Sequence, residues 1–131
     1  MKYVRISSLF LIASIIQGLI VFLGESSGFS QFDIEFTAGR LVHHVLVGQF
    51  GGYALLFLSN YIKQLTKFPP FLVGILFGIL NWLILILAGT MSGLIQPSWL
   101  QFGGIATTLF AFIVYGTIVG ITVFRVQRAK I

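Results

Sequence analysis

A chain of 131 residues that is 57% hydrophobic and only 8% charged does not suit a soluble fold. Soluble domains carry about 25% charged residues, and a chain this small has too much surface to hide so much apolar area. The net charge of +5 comes from eight bases scattered at the ends of apolar runs. They form no basic face of the kind that reads nucleic acid. With no cysteine, disulfides, thiolate metal sites and thiol nucleophiles are excluded. One domain with the bilayer as its solvent is the class these numbers leave.

The first apolar run lies between Arg5 and Glu25, Ile6 to Gly24, and holds 19 uncharged residues. As a helix it covers about 28 Å, close to a hydrocarbon core of about 30 Å. Lys2 and Arg5 also suit the start of a signal peptide. Small residues at a cleavage point are hard to find near Phe22-Leu23-Gly24, so a retained span is expected. A polar segment, 25–39, follows and carries all three acids, Glu25, Asp33 and Glu35. Phe32, Ile34 and Phe36 alternate with Asp33 and Glu35, which predicts a solvated loop or an extended strip with its apolar edge on the headgroups, while Phe29 and Phe32 would also suit a short interfacial helix. Three carboxylates without fixed ligand spacing are a poor metal motif.

The second run, between Arg40 and Lys63, holds 22 residues, Leu41 to Ile62. Arg40, His44, Gly48 and Gly52 recur every fourth residue and share one helix face, so His44 should point into the bundle. His43 is rotated by about 100° and diverges from it. By the helical rise, His44 is expected about 6 Å below Arg40, near the membrane surface. A haem or copper site would need a further His, Cys or Met-rich partner. The chain offers only Met1 and Met91, so no metal and no cofactor is expected.

Between Lys67 and Arg125 lie 57 uncharged residues, about 85 Å of helix, which suits two crossings. Gly93 and Pro97 break this stretch. Pro69-Pro70 opens the third span, where a missing N–H is harmless. Trp99 marks the interface where the fourth begins. The spans are thus expected near 5–24, 40–62, 70–92 and 99–124. The fold class is all-α, an antiparallel bundle of four transmembrane helices. Seven of the eight bases and none of the acids fall on the side of the two termini and the middle loop. The positive-inside rule then places both termini in the cytoplasm.

Two sets of residues carry what chemistry there is. Small residues four apart, Gly48 with Gly52, Gly74 with Gly78 and Gly116 with Gly120, let helix backbones approach closely. They serve either packing within the chain or a homodimer face. The helical rise puts the amides of Gln17, Gln49 and Asn81 about 17–20 Å from the cytoplasmic side, with hydroxyls offered by Tyr115 at about 14 Å and Thr108 at about 24 Å. Such a midplane layer is either hydrogen-bonding between helices or a path for a small neutral solute. Neither a nucleophile–base constellation nor a phosphate-binding loop is present. No ionisable carboxylate or amine lies at midplane, which argues against proton or ion coupling.

The pattern His44-x3-Gly48-x3-Gly52-Tyr53, Gly74-x3-Gly78, and Thr107-Thr108 with Tyr115-Gly116-x3-Gly120 resembles small bacterial membrane proteins of the YqhR and YagU types. That resemblance spans the last three membrane segments and implies a bacterial plasma-membrane location. It carries over no catalytic or binding residue. The expected role is a non-enzymatic accessory or interaction subunit, partnered by the bilayer and by a second copy or a larger membrane complex. The alternatives are a small-solute channel or transporter and, with only Arg40, His44 and the outer acids to support it, an enzyme acting on lipid or quinone.

Overall fold

The computed structural model describes residues 2–129 and is all-helical among them. Four helices are long and apolar enough to cross a membrane: α1 (Lys2–Ser26), α2 (Ala38–Tyr61), α3 (Pro70–Met91) and α4 (Phe102–Arg128). A bilayer core offers no hydrogen-bonding solvent, so each span must satisfy its own backbone, and the helix does so within one segment.

The helix ends follow local chemistry. Thr37 caps α2: its hydroxyl accepts from the Arg40 backbone N–H at 3.2 Å, which satisfies one of the free donors of the first turn. Pro70 sits in the first turn of α3, where its fixed φ suits helix and its missing N–H leaves no gap. Beyond the other end of α3, Gly93 takes φ +72°, and the N–H groups of Leu94 and Ile95 turn back to the Gly89 carbonyl at 2.9 and 3.1 Å. A left-handed glycine with such returning bonds is a standard helix stop. Trp99 does not begin the fourth helix. It lies in a short 3-10 turn, Pro97–Leu100, and α4 starts at Phe102.

The helices pack as two antiparallel hairpins joined through α4. That helix touches all three others, whereas α3 packs extensively on α4 alone. The core runs along the seam of α1, α2 and α4, through Ile6, Phe10, Leu55, Tyr115, Val119 and Val123. Phe10 is fully buried and meets Tyr53 edge-on, ring centroids 5.4 Å apart. The outward faces are studded with exposed Leu, Ile and Phe, as a surface solvated by acyl chains should be.

The segment joining α1 to α2 is largely exposed, as a solvated loop should be, but it is pinned to the protein at Phe32. Phe32 is 1% exposed and packs edge-on against Trp99 at 5.4 Å, while the Trp99 indole N–H donates to the Phe32 carbonyl at 2.7 Å. Phe36 meets Phe22, and Phe29 meets Phe102. The period-two pattern does put Phe32 and Ile34 on the more covered side, and the surface that covers Phe32 is the turn carrying Trp99. Asp33 takes a left-handed φ of +51°, which turns the chain after the buried ring. Protein burial of a large aromatic, with its neighbouring carbonyl satisfied, outweighs a floating strip.

Candidate functional site

The polar side chains concentrate where α1, α2 and α4 meet. Register explains why. Gly48 and Gly52 give α1 room on α2: a side chain on Gly48 would occupy the place of the Ser14 hydroxyl, and one on Gly52 the place of the Phe10 ring. Ser14 and Phe10 are therefore knobs in glycine holes, and this close approach brings short polar groups into bonding range.

His44 reaches across this contact. Its Nε2 lies 2.8 Å from the Ser14 carbonyl, with the ring against Gly18. A carbonyl only accepts, so Nε2 carries the proton and Nδ1 is left for another partner. Ser14 is the midpoint of α1, about 18 Å from either end. The imidazole thus lies between the levels of Gly18 and the Ser14 carbonyl on α1. His43 is exposed on the lipid side, and Arg40 is exposed at the head of α2. The stripe through Arg40, His44, Gly48 and Gly52 is therefore an α1-facing stripe only from His44 inward.

Three further bonds tie the seam. The Gln49 amide donates to the Ser7 carbonyl at 2.8 Å. The Tyr115 hydroxyl donates to the Gly48 carbonyl at 2.5 Å, above Gly51, where a Cβ would lie 2.7 Å from that oxygen. Ser7 and Tyr53 share a hydroxyl–hydroxyl bond. At the end where the termini lie, Gln127 donates to Ser59 Oγ at 2.5 Å and to Asn60 at 3.2 Å. Each interhelical bond of this kind contributes about 0.6 kcal/mol on average in membranes.

The five residues of the expected midplane layer do not behave alike. Gln49 and Tyr115 bond between helices. Asn81 donates to the Phe77 carbonyl of its own helix at 2.8 Å. Thr108 donates to its own Gly104 carbonyl and accepts from the Trp82 indole at 2.9 Å, which ties α3 to α4. Gln17 is buried at 6% exposure, and the register set by Gly24 against Thr107 brings it level with Tyr115.

Gly74, Gly78, Gly116 and Gly120 form the α3–α4 contact. A Cβ on Gly74 would strike the Gly116 carbonyl, one on Gly78 the Phe112 carbonyl, and one on Gly120 would come within 2.6 Å of Gly74 Cα. These glycines are consumed inside the chain and present no face to a second copy. Sequence reasoning passed over Ser7, Ser14, Trp82, Ser59 and Gln127, and named Tyr53 only within the resemblance. The available signal was a small or amphipathic polar residue standing inside an apolar run at helical spacing from glycine on the facing helix. No group of three or more His, Asp and Glu side chains converges among the described residues. No family model, curated protein or solved structure matches the chain.

Proposed function

We infer that this is a multi-pass protein of a bacterial plasma membrane, both termini cytoplasmic, acting as a non-enzymatic accessory or interaction subunit. The observation that carries this reading is the position of α3. It packs extensively on one helix only, and opposite its glycine face it exposes Leu72, Leu76, Leu80, Leu83 and Leu87. Those positions recur every three or four residues and so form one continuous stripe suited to another helix. Seven of eight bases on one end support the orientation. The glycine spacing that resembles the YqhR and YagU proteins supports the bacterial assignment. Mild-detergent extraction followed by mass and pull-down should yield a dimer or a complex. A monodisperse monomer that captures nothing from native membrane, and forms no crosslink from a photoreactive residue at Leu80, sinks the reading.

Gln17 favours a second reading, a path for a small neutral solute. It is buried at the level of Tyr115 and His44. An amide in hydrocarbon costs several kcal/mol unless it is hydrogen-bonded, and a passing polar solute or water would serve as such a partner. Liposomes holding the protein should then leak small polyols. Flux that is unchanged when Gln17, Gln49 and Asn81 are all replaced by Leu in a folded protein excludes it.

A further inference from the structure

The ends of α1 and α4 enclose a groove of about 400 Å³. Lys2, Arg5 and Arg125 stand on its wall, and Leu9, Ile118 and Ile121 line it more deeply. Its lining contains no carboxylate. The chain's three acids all lie at or beyond Glu25, at the far end of a helix about 37 Å long. Three cations, two from α1 and one from α4, therefore line one cleft, and among the described residues no acidic side chain lies within reach. Their charge calls for an anion from outside, and the apolar wall beneath them calls for hydrocarbon. A single molecule supplies both when it is an anionic phospholipid standing in the leaflet at that end of the spans.

We propose that this groove is a site for one anionic phospholipid. Its phosphate lies among Lys2, Arg5 and Arg125, and the upper part of one acyl chain lies against Leu9, Ile118 and Ile121. Basic clefts between membrane helices hold anionic headgroups through the same combination, and the two guanidinium groups match phosphate oxygens in paired geometry. The topological role of terminal bases does not require this convergence. Lys63 and Lys67 sit at the same end, in the turn between α2 and α3, and are exposed outside the groove.

Nanodiscs with graded phosphatidylglycerol in phosphatidylcholine, followed by native mass spectrometry, test the site. One phosphatidylglycerol should be retained in preference to phosphatidylcholine. Retention should drop roughly 100-fold in Lys2→Gln/Arg5→Gln/Arg125→Gln, each base near an anionic surface contributing about fivefold. Lys63→Gln/Lys67→Gln should stay within about twofold of the parent, the scatter expected of exposed sites. Ile121→Trp keeps every charge and fills the groove, so it should also lose the lipid; it decides the matter where the triple variant inserts or folds poorly. Equal losses in the two charge variants, or full retention in Ile121→Trp, overturn the site. So does displacement of the lipid by free glycerol phosphate, which would reduce it to a headgroup contact.

Discussion

At Gly116 an added methyl group has nowhere to go. It would meet the Gly74 carbonyl and, at 2.8 Å, the backbone of Gly78, and backbone cannot swing aside as a side chain can. Gly116→Ala should therefore force α3 off α4 and cost about 1–3 kcal/mol, the range for overpacked interiors, read by denaturant unfolding in detergent. Gly39, at the start of α2, has nothing within 4 Å of such a methyl. Gly39→Ala should leave stability within about 0.5 kcal/mol of the parent. Equal effects at both positions would contradict the packing described. The histidine pair makes a second contrast. His44→Ala removes the bond to the Ser14 carbonyl and should cost between about 0.6 and 1.7 kcal/mol, whereas His43→Ala, on the lipid side, should be neutral in the same assay. The chain itself showed which histidine would face inward, because Gly48 and Gly52 follow His44 at helical spacing. It did not show the partner, because only helix packing brings the Ser14 carbonyl opposite the ring.

Helices α1 and α2 owe their pairing to alternating large and small residues: Phe10 on Gly52, Ser14 on Gly48, His44 on Gly18. In a bilayer apolar burial gives no net drive between helices, so such fit and a few hydrogen bonds must hold them. The outer segment is held differently, by one aromatic pair and one indole hydrogen bond between Phe32 and Trp99. This end lies in or near water, where burying Phe32 carries the usual hydrophobic gain. Phe32→Ala should therefore release the segment while the four helices stay intact. Hydrogen exchange of residues 28–37 should accelerate at least about tenfold, matching the loss of 1.4 kcal/mol or more expected when a buried ring is deleted. Helical content by circular dichroism should be unchanged. Slow exchange in the variant would mean that Glu25, whose carboxylate accepts from the Ile34 N–H at 3.3 Å, anchors the segment instead.

For the whole molecule the inferred orientation has a direct test, since the chain contains no cysteine to confuse labelling. Ser27 and Gln64 are both exposed and lie at opposite ends of α2. In intact cells an impermeant maleimide should modify the Ser27→Cys protein, and should reach the Gln64→Cys protein only after the membrane is opened. The reverse pattern overturns the inferred orientation. The number of crossings and the helix breaks at Gly93 and Pro97 were legible in the chain, because apolar run length and backbone chemistry act locally. The amides were legible as polar groups at mid-span but not as bonded or unbonded. Asn81 turns to its own helix and Gln49 to its neighbour's, and no local pattern separates those outcomes. By itself the sequence determined that this chain forms four helices long and apolar enough to cross a bilayer, because the run lengths match the membrane and charges cannot stay within it. Only the tertiary structure decided that the glycine faces close on each other, that the outer segment folds onto Trp99, and that the bases of two chain ends meet in one groove. The residues that line that groove lie as far apart as 123 positions along the chain, Lys2 and Arg125, and helix packing rather than sequence spacing brings them together.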